Sequence, residues 1–242
     1  MFPRKAVDPS RHTRLLADIQ RLRGVIYVHD GAIDSAHLSA DGRHLQVPDD
    51  TSWHITMLDE IGKVGAALRY SPQKEGLRFE DLRVAQSALA KTDAQRLRQA
   101  VQSVMSCAQQ RGLGFAEFGG WVLTPKLRAS TAAACMIATG YAIAQHHGGS
   151  LAIGTATTRH GSASMLRRIG GKPLKWNGTD VPSYFDPQHR CEMEILQFDS
   201  GLPNAVFAPH VHAMMAELRG VRVFCRADAR PKAADTSPGV AA

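Results

Sequence analysis

The densest chemistry in the chain lies between residues 117 and 133. Glu117 is the only acid in an otherwise apolar run from Phe115 to Leu123. Partial burial raises the pKa of such a carboxyl toward the working range of a general base, although the same residue can equally be the structural partner of an arginine. The run stops at Pro125, and Lys126, Leu127 and Arg128 lead into the small residues Ala129, Ser130, Thr131, Ala132 and Ala133. A helix that opens there offers free backbone N–H groups and the positive end of its peptide dipoles, which together can cradle a phosphate or pyrophosphate. Lys126 and Arg128 would add positive charge at its mouth. The plain alternative is an ordinary strand-to-helix connection whose two cations are solvated.

Several other chemistries lose their support. Neither GxxxxGK[ST] nor GxGxxG occurs, which removes the usual triphosphate and dinucleotide loops. His146 and His147 are adjacent rather than one helical turn apart, and His210 and His212 have no nearby HExxH-type cluster, so no metal is expected. Cys107, Cys135, Cys191 and Cys225 are far apart without a CxxC pair, and read as reduced cysteines. Lys and Arg number 29 against 22 Asp and Glu, a formal charge of +7. That favours an anionic partner, but the basic residues are scattered among acids and no nucleic-acid motif accompanies them, so no nucleic-acid partner is expected.

The elements that must position these groups follow from periodicity. Leu15, Leu16, Ile19 and Leu22 predict an amphipathic helix over 11–23, ending near Gly24; residues 25–28 fit either more helix or a strand, and loops with a short strand follow to Asp50. Apolar runs at 53–58 and 64–70 around a polar five-residue connection predict an antiparallel hairpin. Residues 71–91 read as loop with a short helix. Leu97, Val101, Val104, Met105 and Ala108 predict a long helix from Thr92, stopped by Gly112 and Gly114. After the strand at 115–123, Ala133, Met136, Ile137, Gly140, Tyr141 and Ala144 form the buried stripe of a second helix, capped by Ser130 or Thr131. Strands at 151–156 and 193–198, a short helix at 162–168, and a last helix and strand at 210–218 and 221–225 complete the pattern. It describes a mixed α/β sheet with helices packed on it, one domain over residues 1–226, and a mobile Ala/Pro/Ser/Gly tail from 227 to 242. No apolar run approaches the ~20 residues that span a bilayer and the N-terminus has no apolar leader, so a cytoplasmic protein without a transmembrane segment is expected. Oligomeric state is not legible in the sequence.

The segment from Arg128 to Ala133 resembles the donor-binding signature of the GNAT superfamily of acyltransferases, in which Arg or Gln, two variable residues, Gly, a variable residue and Gly or Ala open a helix after the fourth strand. Here Thr131 stands in place of the central glycine. Residues 59–70 resemble the second and third strands of these enzymes. Glu117 to Trp121 occupies the place where acyl-homoserine-lactone synthases carry a glutamate, a serine and an arginine before an aromatic; Glu117 and the aromatic Trp121 are retained. Residues 160–171 resemble the last core helix, with Leu166 where many acetyltransferases carry a tyrosine. The likeness spans roughly residues 12 to 200, and the long-chain N-acyltransferase branch with its N-acyl amino acid synthases is the nearest match.

The resemblance implies a GNAT-like, mostly antiparallel sheet with a central splay and helices on both faces. It also implies transfer of an acyl group, of long chain, from an acyl-coenzyme A or acyl-carrier-protein thioester to an amine such as an amino acid. The phosphopantetheine arm would lie in the splay beside Val122 and Leu123, with a backbone N–H near Leu123 polarising the thioester carbonyl. Its phosphate would meet residues 129–133 and Arg128, and Arg159 and His160 would follow the fifth strand near the donor tunnel. Glu117 would be the base. His54 would assist it or bind the acceptor, or be a purely structural histidine. Arg69 would either hold the acceptor's carboxylate or serve as a salt-bridge scaffold, with Trp121 beside it in the acceptor site. Leu77, Phe79 and Leu82 would line the acceptor or acyl site or simply pack. A non-catalytic thioester-binding or regulatory protein on the same fold is the alternative.

Overall fold

Asp8 begins the first long element by accepting the backbone N–H of Arg11 at 2.8 Å, and proline at the first helical position needs no N–H partner. The computed structural model describes residues 4–74, 76–128 and 130–226, with His160 described by its backbone alone. Expectations for Ala129, the His160 side chain and residues 227–242 lie outside the described residues.

In chain order the elements are β1 (Arg4–Val7), α1 (Pro9–His29), β2 (Trp53–Leu58), β3 (Val64–Pro72), α2 (Ala88–Thr92), α3 (Ala94–Gln110), β4 (Gly114–Leu123), α4 (Pro125–Arg128) and α5 (Ala132–His146). They continue with β5 (Ser150–Thr157), α6 (Ser162–Ile169), β6 (Lys172–Pro173), β7 (Lys175–Trp176), β8 (Thr179–Asp180), β9 (Tyr184–Asp186), β10 (Cys191–Asp199), α7 (Ala208–Glu217) and β11 (Arg222–Cys225). The main sheet runs β2-β3-β4-β5-β10-β6, with β9 also on β10. Every pairing in it is antiparallel except β4 with β5. The expected mixed α/β, mostly antiparallel sheet is present. The short pair β7-β8 lies apart from it, and β1 pairs in parallel with β11.

Helices cover both faces. Leu97, Val101 and Val104 of α3 pack with Ile153 and Ile195. On the opposite face Ile137 and Tyr141 of α5 and Val211 of α7 pack with Leu196 and Phe198. Ile19 and Ile26 of α1 cover Ala67 and Val122 on the α3 side. Burial of side chains this size contributes ~1.5–3 kcal/mol each before entropy is charged against it.

Two local expectations are corrected. Helix α1 does not end at Gly24 but runs on to His29. A Cβ at residue 24 would lie 2.6 Å from the Gly42 carbonyl oxygen, so the glycine serves close backbone approach rather than termination. No strand forms between α1 and β2; that stretch is built of turns and short 3-10 helices. At the start of α5, Ser130 Oγ accepts the backbone N–H of Ala132 at 3.1 Å, while Thr131 makes no side-chain cap. No helix among the described residues is long and apolar enough to cross a membrane.

Candidate active site

Strands β4 and β5 pair from Gly114 with Ser150 to Phe118 with Gly154, and then separate. Beyond that rung β5 stays with β10 as far as Thr157, and β4 stays with β3 as far as Leu123. The register of β4 on β3 explains the parting. Gly119 pairs with Arg69 and Val122 with Ala67, so Gly120 and Trp121 together oppose Leu68 in a β-bulge. Gly120 takes a left-handed φ of +60°, which a side chain would resist. At the last rung a Cβ on Gly154 would lie 3.0 Å from the Phe118 carbonyl oxygen.

A cavity of about 380 Å³ occupies this opening and is lined from both faces of the sheet. On the α5 side its wall is apolar, with Leu68, Phe118, Ile137, Tyr141, Met165 and Leu166. On the α1 side it is polar, with Gln46, Arg69, Arg83, Glu117, Asp186 and His189. Strand alternation produces the division, since adjacent residues such as Leu68 and Arg69, or Glu117 and Phe118, face opposite ways.

The polar wall is heavily ordered. Glu117 is 9% exposed; Oε2 accepts the backbone N–H of Arg83 and Oε1 that of Val84, each at 3.1 Å. Burial raises its pKa, against the lowering effect of those two bonds. Arg69 donates to Asp49 Oδ1 at 2.9 Å and to Gln46 Oε1 at 2.5 Å. Asp49 is also paired with Arg23 and receives a hydrogen bond from Gln20 at 3.1 Å. Burial alone would raise the Asp49 pKa; Arg23, with Gln20 and Arg69, outweighs it and holds the carboxyl at about 2. Two guanidinium groups on one carboxylate leave this buried trio with one positive charge in excess. Asp30, at the end of α1, pairs with Arg128, and its carbonyl accepts from Arg159.

No family model matches the chain, and no curated protein matches it in sequence. Solved structures do match. The CoA-dependent acyl-homoserine lactone synthase BjaI, solved with SAM and isopentyl-CoA, is 12% identical with a TM-score of 0.55, covering 91% of each chain. MesI, another CoA-dependent acyl-homoserine lactone synthase, is 15% identical with a TM-score of 0.54, over 86% of this chain and 90% of its own. The synthase LasI is 9% identical with a TM-score of 0.52, over 83% and 89%. This chain has the acyl-homoserine lactone synthase fold. The expected GNAT-like architecture, with its central splay and two-sided helices, is therefore present.

Within the synthase fold the sequence-derived site residues separate into two groups. Glu117, Arg69, Trp121, Val122, Leu123, Arg128, Ala133 and Arg159 all line the cavity. Lys126, Ser130, Thr131 and Ala132 lie at the α4–α5 junction and do not. Of the two readings of His54, the structural one fits its place. It sits on the edge strand β2, opposite Arg69 in register but one strand farther from the splay, and its Nε2 lies 2.8 Å from the Asp49 carbonyl oxygen. Burial lowers its pKa, and its ring ties the turn before β2 in place. Phe79 and Leu82 pack in the core with α3, so of the segment from Ser71 to Ala90 it is Arg83, Val84, Gln86 and Ser87 that reach the cavity.

Asp186 and His189 are among the cavity residues that the sequence analysis does not identify. Asp186 closes β9, and its Oδ1 accepts the backbone N–H of His189 at 2.9 Å and lies 3.0 Å from Nδ1 of the same residue. Burial alone would raise the Asp186 pKa, and the hydrogen bonds from His189 outweigh it, leaving the carboxyl below its ordinary value. The sequence signal is an aspartate, a proline and a histidine at i, i+1 and i+3, which is a turn that brings carboxylate and imidazole together.

Proposed function

We propose that this chain transfers an acyl group from a thioester of coenzyme A, or of phosphopantetheine on an acyl carrier protein, to the amine of a small acceptor such as an amino acid. The observation that carries the reading is the cavity at the β4–β5 splay, apolar on one wall and charged on the other. An extended pantetheine arm, with its own amides, suits the strand edges left without a partner beyond Phe118 and Gly154. The CoA-dependence and the isopentyl-CoA described for BjaI support a thioester donor.

On this reading the thioester carbonyl lies beside Val122 and Leu123, where backbone N–H groups stabilise the developing oxyanion. The alkyl chain, of long length, runs along Leu68, Ile137, Met165 and Leu166, and the acceptor enters on the opposite side. Arg69, with the excess positive charge of its trio, suits the acceptor's carboxylate. Glu117 faces the ammonium, where its carboxylate lowers the cost of bringing that charge out of water. Arg128 and Arg159 reach the donor end of the cavity, although the former already shares its charge with Asp30.

The test is amine-dependent thiol release by the full chain, with acyl-coenzyme A and acyl-carrier-protein thioesters of several lengths offered with a panel of amines. An N-acyl product identified by mass spectrometry supports transfer. Tight donor binding with no thiol release under any amine supports a non-catalytic thioester-binding protein instead, the reading favoured by Thr131 and Leu166 in place of the superfamily's glycine and tyrosine.

A further inference from the structure

Within the acyl-transfer reading, on which this inference rests, we propose that His189, oriented by Asp186, removes the proton that frees the acceptor's nitrogen for attack. The turn between β9 and β10 is closed by the pairing of Asp186 with Cys191, and Asp186, Gln188, His189 and Cys191 all line the cavity. This is therefore a carboxylate–imidazole pair built into the wall of the site. Asp186 is 9% exposed, and one oxygen holds both the backbone N–H and the Nδ1 side of His189.

The consequence is a defined tautomer. When Nδ1–H donates to the carboxylate, the neutral imidazole presents a lone pair at Nε2, the form a base requires. The turn that carries the pair is fixed from outside. Arg159 donates to the Arg190 carbonyl at 2.9 Å and also to the Asp30 carbonyl, joining the turn to the end of α1.

The other candidates are less free. Each oxygen of Glu117 already accepts a backbone N–H, so this carboxylate also holds the Arg83–Val84 turn against β4. The Nε2 of His54 lies against the Asp49 carbonyl, away from the cavity. Among the described side chains His189 is the one histidine that lines the cavity. Glu117 then keeps the ammonium in place by charge while His189 takes its proton.

The reaction balances with the groups named. His189 Nε2 takes one proton from the ammonium, the amine lone pair forms the C–N bond at the thioester carbonyl carbon, and the C–S bond breaks as the tetrahedral intermediate collapses. Of the two protons the nitrogen loses, one leaves on the sulfur as the free thiol and the other goes to solvent. No oxidant, reductant or metal enters the balance.

The experiment measures amide formation and donor binding in the full chain for wild type, His189→Ala, His189→Gln, Asp186→Asn and the His189→Ala/Asp186→Asn double variant. Both His189 variants are expected to bind acyl-coenzyme A as wild type does while forming amide about 10²–10⁴-fold more slowly. Added imidazole is expected to restore a measurable part of the rate to His189→Ala and none to wild type. Asp186→Asn should slow the wild-type enzyme but add no further loss to His189→Ala, because it acts through the imidazole. A folded His189→Gln variant with the wild-type rate overturns the proposal, as does a slow His189→Ala variant that imidazole does not help. Wild-type protein that releases no thiol with any amine overturns the acyl-transfer reading itself, which is a different outcome.

Discussion

Arg69 and Asp49 form an ion pair at 2.9 Å inside the protein, with side-chain exposures of 6% and 2%. The same carboxylate serves Arg23, which is fully buried. Both arginines depend on it, since a guanidinium taken out of water without a partner carries a large desolvation cost. Asp49→Ala is expected to destabilise the fold by ~3–5 kcal/mol, because it strands two cations at once. Urea denaturation checks this, and a loss below 1 kcal/mol would mean that water or a rearranged loop reaches the arginines.

The acid limb of stability should begin with His44. This residue is 7% exposed, packs with its ring centroid 5.6 Å from that of Tyr27, and has its pKa lowered to about 4 by burial and then by Arg23. Its folded-state value lies below the unfolded value of about 6.5, so the unfolded chain binds a proton that the folded chain refuses. Stability therefore falls as pH drops from about 6.5 toward 4. Asp49, held at about 2, adds a second loss as pH falls from its unfolded value of about 3.9 through 2. A His44→Phe variant should make the first part of the curve shallower, the remaining slope coming from groups such as buried His54, and leave the second part unchanged, which thermal unfolding across this pH range will reveal.

Elements whose packing is written in a simple period were legible in advance. The β2–β3 hairpin and helices α3 and α5 follow the two- and 3.6-residue spacing of their apolar residues, and the buried face of α5 is the expected stripe from Ala133 to Ala144. Helix α1 overran its expected end because Gly24 answers to the distant Gly42 backbone, which no local pattern records. The strand at 221–225 is legible as β11, but β1 and its parallel pairing with β11, which joins the two ends of the described chain, have no sequence signal. His54 and Arg69 pair across β2 and β3, yet the edge position of β2, which the sequence does not record, leaves the histidine outside the cavity. Asp186 and His189 were missed because their turn meets Glu117 and Arg69 only through the order of strands in the sheet.

The opening between β4 and β5 depends on how closely their backbones meet at its apex. Gly154 allows that contact, and a Cβ there would stand 3.0 Å from the Phe118 carbonyl oxygen and 3.5 Å from its Cβ. Gly154→Val should force the last rung apart, costing ~1–3 kcal/mol by overpacking. It should also weaken donor binding, since residue 154 lines the cavity. Calorimetric titration with acyl-coenzyme A, set beside the melting temperature, tests both parts. Unchanged donor affinity in a destabilised variant would place the donor elsewhere.

Glu117 combines a structural and a chemical duty, and a conservative substitution separates them. Glutamine keeps one acceptor oxygen but turns its amide N–H₂ toward either the Arg83 or the Val84 backbone N–H, leaving one buried donor unsatisfied. That costs ~1–3 kcal/mol, visible as a lower melting temperature. The variant also removes the negative charge that faces the ammonium, so amide formation should fall strongly at temperatures where the protein remains folded, while donor binding on the apolar side persists. Comparison with Val84→Pro gives the control: it deletes the N–H that Glu117 Oε1 accepts but keeps the charge. If both variants lose the same activity, Glu117 acts only by holding the turn. If Glu117→Gln is far slower than Val84→Pro at equal stability, the carboxylate acts on the acceptor.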